Sequence, residues 1–180
     1  NFLAVLHREF REGLVETRIN NPRMRALNAE HIFQYPFLLE NGFDLDTITP
    51  GLQEVSLRYK GDDDLKAQVK ILSQAYLADG PVLQHGDFYP GSWLGALNGI
   101  KVIDPEFGFF GPAEFDLSVM RAHFIMAEQS EAILSQVEQA LTGVEIMRRV
   151  IGLAQLPLVQ NLGEKALLLE QAYEMIMGKS

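Results

Sequence analysis

Apolar residues recur at helical spacing through Leu65, Val69, Leu72, Tyr76 and Leu77, after an acidic start at Asp62-Asp63-Asp64 and before a stop at Gly80-Pro81. Acids complement the partial positive charge of a helix start and a Gly-Pro pair cannot extend its hydrogen-bond ladder, so this stretch predicts an amphipathic helix. Upstream, residues 1 to 60 interleave short apolar groups with turn signals at Asn20-Asn21-Pro22, Tyr35-Pro36, Asn41-Gly42 and Pro50-Gly51, which predicts short helices and connectors. Downstream, Val82-Leu83-Gln84 reads as a short extended run. Trp93 to Leu97 then faces Ile100 to Ile103 across Asn98-Gly99, the strongest short hairpin signal. Helical patterns return near 113 to 128, 130 to 155 and 163 to 178; the middle one carries Ile133, Val137, Leu141, Val144, Met147 and Ile151 on one face, with Gly143 as a candidate bend. No repeat or Gly/Pro/Ser-rich linker interrupts the pattern, and a single domain over residues 1–180 is expected.

Composition narrows the partners. The 180 residues are 47% hydrophobic and 22% charged, enough to bury a core, and the net charge of -9 comes without any basic stripe. Nucleic acid and anionic membrane are therefore poor partners. No run approaches the ~20 apolar residues of a membrane span, and with no cysteine there is neither a disulfide nor a thiolate metal site. A cytoplasmic protein is the expectation.

The chemistry concentrates between residues 85 and 116. If Asn98-Gly99 forms a two-residue turn, Leu97 pairs with Ile100, Leu94 with Ile103, and Trp93 comes to lie beside Asp104. Asp87 on the loop entering the hairpin and Asp104 and Glu106 on the loop leaving it then gather at one open end. Clustered carboxylates repel unless a cation or proton lies between them. Mg²⁺, a hard ion held by one or two carboxylates together with phosphate oxygens, suits Asp104 and Glu106, leaving Asp87 to orient or deprotonate a hydroxyl. His85, directly before Gly86-Asp87, reads as a hydrogen-bonded prop for the loop, and Trp93 as a packing residue. His7, His31 and His123 have no ligand spacing. Arg148 and Arg149, adjacent and so about 100° apart on a helix, do not share one face, so a surface pair for at least one of them stands as the alternative to a role at the site.

His85-Gly86-Asp87-Phe88-Tyr89-Pro90-Gly91-Ser92, followed by Val102-Ile103-Asp104-Pro105-Glu106-Phe107, resembles the catalytic and metal-binding loops of the aminoglycoside phosphotransferase and choline kinase superfamily. Continuing through Gly108-Phe109-Phe110-Gly111-Pro112 to Phe115-Asp116, with Ser at position 92, the segment is similar to the methylthioribose kinases. That resemblance implies a mainly α, α+β fold: the helical C-terminal lobe of a protein-kinase-like phosphotransferase, with a small β-hairpin at its active end. It further implies ATP and Mg²⁺ as cofactors, Asp87 as the catalytic aspartate, Ser92 on the cofactor side, Asp104 and Glu106 as metal ligands, and Arg148 and Arg149 on the substrate side. Asp116 is implied as the helix-start acid that braces the catalytic loop through its backbone. A small-molecule hydroxyl substrate, methylthioribose foremost, and a homodimer follow from the same resemblance. No Gly-rich phosphate loop or strand lysine is present, so the expectation is that the ATP-gripping N-terminal lobe is missing and that this lobe alone is inactive. Phe88-Tyr89-Pro90 departs from the usual Leu-His-Thr, which keeps other acceptors open: an aminoglycoside, a choline-like alcohol or another sugar. A non-catalytic binding module is the remaining alternative.

Overall fold

The computed structural model describes residues 2–129 and 137–178. Its helices are α1 (Phe2–Glu9), α2 (Pro22–Phe33), α3 (Leu52–Lys60), α4 (Asp63–Leu77), α5 (Phe115–Met126), α6 (Gln139–Ile151) and α7 (Leu162–Met177). Between α4 and α5 lie four short strands: β1 (Val82–Gln84), β2 (Trp93–Ala96), β3 (Gly99–Val102) and β4 (Phe109–Gly111). Antiparallel pairing joins β1 to β4 and β2 to β3. The fold is thus the mainly helical, α+β lobe expected, and no helix among the described residues is long and apolar enough to cross a membrane.

The chain packs as two compact units, Asn1–Asn28 with Ala75–Val137 and Ala29–Gln74 with Glu138–Ser180. Two of the crossings fall inside α2 and α4, where a helix runs on without any break in composition.

The first unit is organised around aromatic rings. Tyr76, fully buried at the end of α4, meets Phe109 of β4 edge-on at 4.9 Å and Phe115 of α5 at 4.8 Å. Such pairs add about 0.5–1.5 kcal/mol beyond their burial. Arg25 lies over the Phe109 ring at 4.3 Å and donates Nε and Nη2 to the Tyr76 carbonyl at 3.2 and 2.6 Å. A cation there satisfies a carbonyl at the end of α4 and complements the negative pole of the helix. The start of α4 belongs to the second unit, and there the Asp62 carboxylate accepts from Leu65 N at 2.8 Å, as an acidic helix start should.

The hairpin forms, but two residues out of the expected register: Trp93 pairs with Val102, Leu94 with Lys101, and Ala96 with Gly99. A two-residue loop centred on Asn98-Gly99 requires positive φ at both positions. Here Asn98 keeps negative φ, Gly99 alone takes φ +114°, and Leu97-Asn98 become the turn. Because side chains alternate with period two, each residue stays on its expected face while the partners change. Ile103 N donates to the Ser92 carbonyl, so Asp104 stands beyond the ladder and not beside Trp93.

In the second unit the middle helix is shorter than its pattern. It starts at Gln139, capped by Glu138, whose carboxylate accepts from Ala140 N and Leu141 N. Ile133 and the rest of 130–136 lie outside the described residues. Gly143 does not serve as a bend: a Cβ there would lie 2.5 Å from the Ala172 carbonyl, so glycine permits the close approach of α6 to α7.

Candidate active site

The strand β1 delivers the chain into His85-Gly86-Asp87, and several buried groups hold that loop by its backbone. Asp116, in the first turn of α5 and wholly buried, accepts from His85 N at 2.6 Å and from Gly86 N at 3.0 Å. Asn28 Nδ2 donates to the Gly86 carbonyl at 2.8 Å. Gly86 adopts φ +90°, and a Cβ there would lie 2.3 Å from the Phe107 carbonyl oxygen. The 85–88 loop therefore rests directly on the backbone of the 104–108 loop.

Further contacts tie the same loops together. His85 Nε2–H donates to the Ile103 carbonyl at 2.8 Å, which commits the ring proton to the structure. Ser92 is buried and its hydroxyl donates to the Asp87 carbonyl at 2.9 Å. Asn21 Nδ2 donates to the carbonyls of Glu106 and Gly108 at 2.7 and 3.1 Å, clamping the loop that leaves the hairpin. Asn21, Asn28 and Gln84 were not among the residues expected at the site. Asn20-Asn21-Pro22 carries a turn signal, but nothing in its spacing points to partners 85 and 87 positions away.

Within this frame Asp87 is half-buried, whereas Asp104 and Glu106 are exposed. Asp104 has φ +59°, a left-handed conformation costing a non-glycine residue about 1–2 kcal/mol, the kind of local strain that collects at functional loops. Glu106 follows in a 3-10 turn, Pro105–Phe107. Among the described residues no group of three or more His, Asp or Glu side chains is arranged to hold a metal, so a cation at this end would rest on fewer protein carboxylates. The shifted hairpin register parts Trp93 from Asp104, while the 85–88 and 104–108 loops stay in contact through Gly86 and Phe107.

Burial raises the Asp116 pKa to about 6; the nearby Asp87 charge pushes the same way, while the two backbone N–H donors oppose both. Phe88 and Trp93, 5.1 Å apart between ring centroids, line an apolar cavity of about 940 Å³ with Phe2, His7, Leu117 and Met120.

Arg148 and Arg149 belong to the second unit, and the alternative of a surface pair is not realised. Both are 4% exposed and both bond Glu145, at 3.2 Å from Arg148 Nη1 and 2.6 Å from Arg149 Nε. Adjacent positions diverge on a helix, yet residues three and four beyond Glu145 flank its own face, so one buried carboxylate reaches both.

The profile of the phosphotransferase enzyme family matches residues 26–153. Among curated proteins, the methylthioribose kinase of Exiguobacterium sibiricum is 36% identical over 109 residues, which is 59% of this chain and 27% of that protein. The methylthioribose kinase of Yersinia enterocolitica is 32% identical over 61% of this chain and 27% of its own length, and that of Geobacillus kaustophilus 31% identical over 64% and 28%. The matched segment thus spans little more than a quarter of each relative.

Proposed function

Since the chain belongs to the phosphotransferase enzyme family, we propose that it is the catalytic-loop lobe of a small-molecule kinase that transfers the γ-phosphoryl group of ATP to a hydroxyl. The observation that carries this reading is the backbone cradle of the 85–88 loop: Asp116, Asn28 and Ser92 each hydrogen-bond that backbone and so set the position of Asp87. In the reaction, the acceptor oxygen forms a bond to the γ-phosphorus as the bond to the β-phosphate oxygen breaks. The hydroxyl proton passes to the Asp87 carboxylate and ADP departs.

Asp104 and Glu106 fit a magnesium ion by their chemistry, being exposed hard oxygen donors with no side-chain hydrogen bond or ion pair among the described residues. When bound, the ion supplies charge neutralisation at the phosphate oxygens. Arg148 and Arg149 carry the substrate-side role in this reading, with Glu145 fixing both guanidinium groups. The grip on the triphosphate is assigned to a lobe outside this sequence. For the acceptor we favour 5-methylthioribose, in keeping with the named relatives and with an apolar cavity beside the loop that suits a neutral sugar bearing an apolar substituent.

The test is Mg²⁺-dependent ATP consumption by the intact protein against methylthioribose, an aminoglycoside, choline and other sugars, with Asp87→Asn as the control. One acceptor should turn over, and the variant should lose about 10²–10⁴-fold in kcat. Turnover surviving in Asp87→Asn within tenfold would remove Asp87 from the chemistry, and no turnover with any acceptor would favour a binding module.

A further inference from the structure

A line of hydrogen bonds reaches the 85–88 loop from α1. Gln84, the last residue of β1, is wholly buried, and its side-chain amide lies between two groups. The Asp116 backbone N–H donates to Gln84 Oε1 at 3.2 Å, and Gln84 Nε2 lies 3.3 Å from Nε2 of His7.

The donor and acceptor inventory sets the polarity of this line. A backbone N–H only donates, so it holds the amide oxygen; the amide NH₂ then faces His7, and it too only donates. His7 must therefore accept through an unprotonated Nε2 and carry its proton on Nδ1. Burial favours that neutral form by lowering the His7 pKa, against an opposing pull from Glu114. Strand β1, packed on α1, contributes only Val82, Leu83 and Gln84, none of them charged. Arg8 and Glu9 of α1 are paired with each other at 2.8 Å.

We propose that His7 and Gln84 are positioning residues for the phosphoryl transfer inferred above: neutral His7 holds the Gln84 amide, Gln84 holds the Asp116 backbone, and Asp116 thereby stays registered on the His85 and Gly86 N–H groups that set Asp87. Protonating His7 places two donors face to face. Flipping the amide does not relieve this, because its NH₂ would then oppose the Asp116 N–H. Acid conditions thus uncouple α1 from the loop. The effect on catalysis rests on the kinase reading; the hydrogen-bond polarity stands without it.

Imidazole ¹⁵N spectra of the intact protein should show His7 as the neutral Nδ1–H tautomer at pH 7. In Gln84→Glu the carboxylate accepts at both ends, so the His7 pKa should rise by about 1–3 units. His7→Phe should speed amide exchange at His85 and Gly86 by about five- to tenfold, equivalent to one ordinary hydrogen bond, and lower kcat more than it raises KM. His7→Gln, whose carbonyl can accept but does not titrate, should restore protection and abolish the acid limb of the rate profile that belongs to His7. An Nε2–H or protonated His7 at pH 7, an unmoved His7 pKa in Gln84→Glu, or unchanged exchange at both amides in His7→Phe would each overturn the assignment. Normal kcat in His7→Phe, in an enzyme that does turn over an acceptor, would refute the catalytic link while leaving the kinase reading intact. Absence of all turnover would strike the kinase reading and leave the spectra to decide the hydrogen-bond line.

Discussion

Gly86→Ala separates two effects that coincide at the catalytic loop. The first is conformational: at φ +90° an alanine is held in the left-handed region, which costs about 1–2 kcal/mol. The second is steric. The new Cβ would stand 2.3 Å from the Phe107 carbonyl oxygen, 2.7 Å from its carbon and 2.8 Å from its Cβ. Two of those atoms are backbone and cannot rotate away, so the 85–88 and 104–108 loops must part, at a cost comparable to overpacking a core, about 1–3 kcal/mol. Gly13→Ala supplies the reference, because Gly13 has a similar φ of +84° and nothing within 4 Å of the point a Cβ would occupy. Urea unfolding of the intact protein should therefore show a loss of about 1–2 kcal/mol for Gly13→Ala and about 2–5 kcal/mol for Gly86→Ala, with m-values unchanged. If the two variants agreed within about 0.5 kcal/mol, against a usual mutational scale of about 0.5–3 kcal/mol, the direct seating of one loop on the other would be refuted.

Asp116→Ala should leave the His85 and Gly86 N–H groups buried without acceptors, costing about 1–3 kcal/mol each, read by thermal unfolding at fixed pH. The Asp116 pKa is raised to about 6 in the fold, above the ordinary carboxylate value of 3.8, so the folded state binds a proton that the unfolded state has released between those values. This group's contribution is fully present below about pH 4 and lost as pH rises through about 6, and the stability gap between wild type and Asp116→Ala should widen as pH falls across that window. Gly143→Ala gains about 0.5–1 kcal/mol of helix preference but forces a Cβ to 2.5 Å from the Ala172 carbonyl. The clash, about 1–3 kcal/mol, should win, and a rise in Tm would show that α6 and α7 can separate freely.

Much of this protein is written in short-range pattern. The helix from Asp63 to Leu77, the strand at Val82, the existence of a hairpin at 93–102 and the acidic motif at 85–116 all follow from side-chain periodicity, caps and turn residues, interactions that span a few positions. Even there Leu77, on the predicted apolar face, remains 46% exposed, because the pattern defines a face and not the neighbour that covers it. Tertiary structure decided the rest. Asn98-Gly99 is compatible with more than one loop, and the choice that gave Gly99 the positive φ moved every cross-strand partner by two. Arg148 and Arg149 became a buried pair because Glu145 lies within reach of both. Asn21, Asn28, Gln84 and His7 acquired their roles from groups 32 to 87 positions distant. A buried polar group must find a partner, but which partner it finds is set by where the chain crosses itself, and residue spacing along the chain does not record that.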